Sequence, residues 1–294
     1  MSGINRRRFI GAAACVPSLL GMSAAELAAR YEDPKGEGPS VGLVTYNLAK
    51  DWDLATIIAN CTEARFTAVE LRTTHAHGVE VSLSAAQRAE VKKRFADSPV
   101  RLASLGSAFE FHAIDPAELK ANIEGTKEYI KLAADLGCDG VKVRPNGLHE
   151  KEGVPREKTI AQIARSLDEV GAFGADRGVE VRVEVHGSET SRFPVYHPVM
   201  EQTASRNVYV CWNCNETDLE DGGLEHNFAL VSGRIHFVHM RDLFLEDYPW
   251  RRLFALLKNS GYKGYCCAEI PESADPVRLM KYYRALFLAY QDRL

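Results

Sequence analysis

Short apolar runs of strand length alternate along the chain with longer stretches whose apolar residues recur at helical spacing. The strand-like runs are SVGLVTYNL at 40–48, AVELR at 68–72, VRLASLGSAF at 100–109 and GVKVRP at 140–145. They continue with VEVRVEVHG at 179–187, VYVCWNC at 208–214, RIHFVHMRD at 234–242 and GYCCAEI at 264–270. Eight such runs, roughly 25–40 residues apart with a helix pattern after each, predict a single (β/α)8 TIM barrel, an α/β fold.

The breaks between runs carry the right punctuation. DPAE at 115–118 places Asp115 as N-cap with Pro116 in the first turn, SAAQ at 84–87 is a capping box, and DP at 275–276 opens a final helix. LGCDG at 136–140, RGVE at 177–180 and SGYKG at 260–264 read as helix-to-strand turns, with Gly where a left-handed cap is needed. No G-x-G-x-x-G follows any strand, which removes the usual dinucleotide-binding form of a doubly wound sheet. No low-complexity linker divides residues 30–294, so they are expected to form one domain.

Composition changes the picture mainly at the N-terminus. Arg6, Arg7 and Arg8 precede an apolar stretch from Phe9 to Met22, and small residues follow at Ser23, Ala24 and Ala25. Residues 1–29 read as a cleavable export signal that resembles the twin-arginine pattern, with the export machinery as a transient partner and a periplasmic destination. The whole chain has 46% hydrophobic residues and a net charge of −4, with no basic run after the first few residues, so nucleic acid is not an expected partner.

Cys211 and Cys214 have C-x-x-C spacing, but strand side chains alternate faces, so residues three apart point to opposite sides. Neither a shared metal nor a disulfide is expected for them, and neighbouring Cys266 and Cys267 diverge in the same way. Strand five is more telling. Val179, Val181, Val183 and Val185 form one face, suited to packing on helices, while Glu180, Arg182, Glu184 and His186 form the other. Such a row inside a barrel is costly unless paired or metal-bound, which marks Glu184 and His186, at the strand's C-terminal end, as a candidate site.

The endings VEVHG, VHMRD and AEI, in that order on strands five, seven and eight, resemble the xylose isomerase-like TIM-barrel family of sugar isomerases and epimerases, including ketose 3-epimerases and inosose isomerases. The resemblance spans essentially the whole chain after the leader. It implies one divalent metal held by Glu184, Asn213, His239 and Glu269, with Asn213 standing where the family has Asp. Mn²⁺ suits such a mixed set best, with Mg²⁺, Co²⁺ and Zn²⁺ as alternatives. It further implies a small carbohydrate as substrate, with Glu184 and Glu269 as base and acid. The same enolate chemistry would serve a lyase on an oxidised sugar or glycoside. A non-catalytic carbohydrate-binding barrel with a weakened metal site is the reading from a different class.

Around that set, His186 is a candidate for a substrate hydroxyl and Arg241, at the parity of His239, for an oxyanion. Glu70 is a candidate for substrate contact or an ion pair with Arg72, and His112 lies near the barrel mouth. Tyr46, with Phe109, Trp212 and Trp250 as alternatives, is a candidate for an apolar wall against a sugar ring.

Overall fold

The structure, a computed structural model, describes residues 38–294; the expected leader, residues 1–29, lies outside them. Eight parallel strands close into a barrel in chain order. They are β1 (Ser40–Val44), β2 (Ala68–Arg72), β3 (Arg101–Glu110), β4 (Gly140–Arg144), β5 (Glu180–Glu184), β6 (Val208–Asn213), β7 (Ile235–Met240) and β8 (Tyr265–Ala268). The single TIM barrel expected from the spacing is thus observed. The helices that follow the strands are α1 (Leu54–Ala64), α2 (Ala85–Ala96), α3 (Pro116–Leu136) and α4 (Arg156–Ala175). The outer ring continues with α5 (Phe193–Gln202), α6 (Leu224–Val231), α7 (Trp250–Asn259) and α8 (Pro276–Tyr290).

The local signals act where the sequence places them. Ser84 and Gln87 form both halves of a capping box on α2. Asp115 accepts from the Ala117 amide ahead of Pro116 on α3, and Gly137 closes that helix at φ 69°. Asp275 caps α8 by accepting from the Arg278 amide.

Strand parity divides the core in two. Val179, Val181, Val183 and Val185 are buried in the outer shell between sheet and helices. A separate apolar layer, made of Val44, Ala68, Ala103, Cys211, Phe237 and Cys267, fills the barrel interior. Cys211 therefore points inward and Cys214 outward, and Cys267 and Cys266 divide likewise. All six described cysteines are free thiols.

Below the interior layer, the Arg182 guanidinium donates to Glu180 Oε2 at 2.7 Å and sits over the Phe237 ring. An irregularity in the β6–β7 pairing between Val210 and Cys211 lets His236 reach Glu180 Oε1 at 2.9 Å. Strict alternation sends His236 outward, so the shift in register is what brings it to the barrel floor. Among the described residues no helix is long and apolar enough to cross a membrane.

Candidate active site

Above the apolar layer, at the C-terminal ends of the strands, the interior becomes ionic. Glu70 from β2, Lys142 from β4, Glu184 from β5, Asn213 from β6, His239 from β7 and Glu269 just past β8 converge there. Lys142 Nζ donates to Glu184 Oε2 at 2.7 Å, with side chains only 5% and 3% exposed. The other oxygen, Oε1, lies 3.2 Å from His239 Nδ1 and accepts from Asn213 Nδ2 at 3.1 Å. Glu269 Oε2 is 3.8 Å from the same Nδ1. On the far side of the ring, Nε2 lies 3.2 Å from Glu70 Oε1.

This arrangement revises one expectation. Glu70 is fully buried behind His239 and does not line the open pocket, so it is not placed to touch a substrate; nor is it ion-paired with Arg72. Its carboxylate faces the imidazole edge opposite the cluster, which is where metal-ligating histidines commonly find a partner that sets tautomer and ring angle. Asn213 stands at the expected strand end, and its amide NH₂ faces Glu184. A half-turn of the amide presents Oδ1 instead.

The charges explain the proton affinities. Three carboxylates, Glu70, Glu184 and Glu269, against one ammonium, Lys142, leave −2 with a neutral imidazole. Burial opposes ionisation of Glu184, but Lys142 and His239 outweigh it and hold its carboxyl well below the usual range. Burial also opposes a charged His239, yet Cys211, Glu70 and Glu184 around it raise its pKa well above the ordinary imidazole value. Glu269 is raised, by burial first and by the nearby Glu184 charge.

A divalent cation fits this set. One ligand atom each from Glu184, His239 and Glu269 lies within 4.8 Å of the others, and two positive charges bring the buried balance to zero. Asn213 is in reach as a neutral oxygen ligand after the amide turn.

A cavity of about 240 Å³ opens over the cluster, lined by Glu184, Asn213 and Glu269 together with Tyr46, Arg72, Lys142, Arg144, His186 and Asn215. Tyr46, 44% exposed, is the aromatic residue of the expected wall that the structure brings to the cavity. Trp212 and Trp250 are buried in the outer core, and Phe109 packs edge-on against Tyr129. Arg241 lies instead on an adjoining cavity of about 480 Å³, shared with His186 and Asn215, where its Nη1 donates to Asp247 at 3.1 Å. His112 sits to one side, bonded to Glu110 and His149. Lys142 is absent from the expected site set. Its parity with Gly140 and Arg144 places it inside the barrel, but parity does not say which carboxylate it meets.

Beside the site, Asp218 is buried under the turn that follows β6. Tyr248 donates to its Oδ2 at 2.6 Å and the Asn215 amide at 3.2 Å, while Oδ1 has no hydrogen-bond partner. Burial pushes this carboxyl up to about 8. A folded pKa above the unfolded one gives stability that is complete below the unfolded pKa, near 4, and is lost as pH rises towards 8. The slope is at most about 1.4 kcal/mol per pH unit. Asp218→Asn is expected to flatten this dependence, as read from urea midpoints between pH 5 and 8. A parent profile already flat there would contradict a raised pKa.

A closed parallel barrel with a carboxylate–imidazole cluster on its C-terminal rim defines a TIM-barrel protein whose chemistry is built from strand ends. The chain belongs to the xylose isomerase-like TIM barrel family, whose model matches residues 58–286. Solved structures of similar fold include the IOLI protein with a bound zinc atom, at TM-score 0.71 and 13% identity over 86% of this chain and 98% of that one. The 3-keto-D-glucoside 4-epimerase YcjR from E. coli has TM-score 0.70 and 13% identity, covering 86% of this chain and 99% of its own. D-psicose 3-epimerase, solved in the presence of D-fructose, has TM-score 0.72 and 14% identity with the same coverages, 86% and 99%. A search of curated protein sequences gave no significant match.

Proposed function

We propose that this protein is a divalent-metal-dependent sugar isomerase or epimerase, with Mn²⁺ as the preferred ion. The observation that carries the reading is the convergence of Glu184, His239 and Glu269 within 4.8 Å at the floor of a small polar cavity. Family membership and structural neighbours that are sugar epimerases support it. When bound, the metal supplies Lewis-acid stabilisation of the oxyanion that develops as a proton leaves the carbon beside a sugar carbonyl.

The protein's own residues divide the remaining work. Glu184 is held on both oxygens, by Lys142 on one and by Asn213 and His239 on the other, and serves chiefly as a fixed ligand. Glu269 has a side chain 25% exposed to the cavity, and its carboxylate makes no hydrogen bond among the described residues, so it is the carboxylate free to carry a proton. Tyr46 offers an aromatic face at the cavity wall and Arg72 and Arg144 offer donors to substrate oxygens.

The test is a metal titration of the purified protein, followed by incubation of the loaded form with a sugar panel in D₂O. Near-stoichiometric metal and solvent deuterium at the carbon next to a carbonyl are expected. No metal binding and no exchange with any sugar would sink the reading. Asn213→Asp adds a ligand charge and is expected to tighten metal binding by roughly tenfold or more, since charge count tunes affinity at oxygen-rich sites. We also propose export by the twin-arginine route, supported by Arg6–Arg8 ahead of the apolar stretch; N-terminal sequencing of protein from the periplasm tests for cleavage near residues 25–30.

A further inference from the structure

Outside the ionic cluster, a second polar network runs along the cavity rim from β3 to β5, and none of its bonds is needed for metal binding. Glu110, at the end of β3, accepts from Arg144 Nη2 at 2.5 Å and from Asn146 Nδ2 at 2.7 Å, both on Oε1. Its Oε2 lies 3.0 Å from His112 Nε2. Asn146 Oδ1 in turn lies 2.6 Å from His186 Nδ1.

These contacts settle the proton positions in order. A carboxylate paired with a guanidinium is an acceptor only, so the Asn146 amide must turn its NH₂ towards Glu110. Its carbonyl oxygen then faces His186, and an amide oxygen cannot donate. His186 Nδ1 therefore carries the hydrogen, and the neutral ring keeps its lone pair on Nε2. Nε2 has no hydrogen-bond partner among the described residues, and the ring lines both cavities.

The backbone is shaped to hold this contact. Asn146 adopts φ 65°, a left-handed conformation that costs most residues energy, and forms an isolated bridge to Gly187, the neighbour of His186. Gly187 is itself at φ 103°, and a Cβ there would come within 2.5 Å of the Asn146 carbonyl oxygen. The close approach is thus restricted to glycine on one side and favours Asn on the other.

We propose that Glu110 and Asn146 are positioning residues that lock His186 as the Nδ1–H tautomer, so that its Nε2 accepts a hydrogen bond from a substrate hydroxyl beside the metal position. The second half of the proposal rests on the sugar reading given above; the first half does not.

Nitrogen-15 spectra of histidine-labelled, full-length, substrate-free protein at a pH where the ring is neutral test the first half, with His186→Gln assigning the signals. The parent is expected to show a protonated Nδ1 and an unprotonated Nε2. Asn146→Gly keeps the left-handed backbone accessible while removing the amide, and is expected to give a mixture of tautomers in a protein that melts as the parent does. Glu110→Ala, which frees the amide to rotate, should do the same, and Glu110→Gln, which still offers a carbonyl to Asn146, should restore the parent pattern. A protonated Nε2 in the parent, or a single unchanged tautomer in Asn146→Gly, overturns the proposal.

For the second half, D-fructose binding to the Mn²⁺-loaded protein is the probe. Its dissociation constant is expected to rise severalfold in Asn146→Gly, in proportion to the share of rings that leave the Nδ1–H tautomer, with metal content unchanged. Equal affinity in parent and variant would remove the hydroxyl contact. Failure of the parent itself to bind any panel sugar counts against the sugar reading, while the tautomer result stands on its own.

Discussion

Glu184→Gln is expected to lose bound metal and, in the same substitution, about 1–3 kcal/mol of folding stability. The two losses have separate origins. Metal affinity falls because an anionic ligand becomes neutral. Stability falls because Lys142, 4% exposed and 2.7 Å from Glu184 Oε2, loses the carboxylate it is bonded to and keeps only the charges of Glu70 and Glu269 nearby. Adding Lys142→Met removes one positive charge for the one negative charge already lost, and should return most of the stability without returning the metal. Urea denaturation and elemental analysis on parent, single and double variants separate the effects. If Glu184→Gln unfolds at the parent midpoint and keeps its metal, the buried pair is neither a stability element nor part of the ligand set.

Glu269→Gln is expected to behave in the opposite way: stability close to the parent, and proton exchange into a responsive sugar reduced by at least about a hundredfold. Its side chain is a quarter exposed, makes no hydrogen bond among the described residues, and lies 3.8 Å from His239 Nδ1, so its amide leaves no buried partner stranded. Metal affinity should fall as well, so exchange is compared at saturating metal. Full deuterium incorporation by the metal-saturated variant would remove Glu269 as the proton carrier and return that role to Glu184. A large drop in unfolding midpoint would instead mean that the carboxylate has a structural partner.

Much of this site is legible in the sequence because strand parity is a strict geometric rule. Alternation in VEVRVEVHG is enough to put Glu180, Arg182 and Glu184 inside the barrel and four valines outside, and the structure agrees at each position. Parity also separates Cys211 from Cys214. What it cannot supply is partnership across the barrel, where any inward charge at one height can meet several others. Lys142 and Glu184 are on adjacent strands and pair, whereas Glu70 sits within reach of His239 from β2, nearly opposite in the ring. His236 escapes parity through the register shift beside Cys211, which no local residue signals. The link from Glu110 to His186 depends on Asn146 taking a left-handed backbone just past β4, a conformation that Asn permits but does not announce.

The buried thiols carry a practical consequence. Cys61 on α1, Cys138 at the entry to β4, Cys211 and Cys214 around the end of β6, and Cys266 and Cys267 on β8 are all free and inaccessible. Alkylating reagents attack the thiolate, and burial raises the thiol pKa at each of the six, so these six thiols should be inert to iodoacetamide in the folded protein. Labelling can then proceed only through opening of the surrounding structure. Mass spectrometry of the labelled peptides would report opening of four separate regions of the barrel without any added probe, each thiol timing the segment in which it is enclosed.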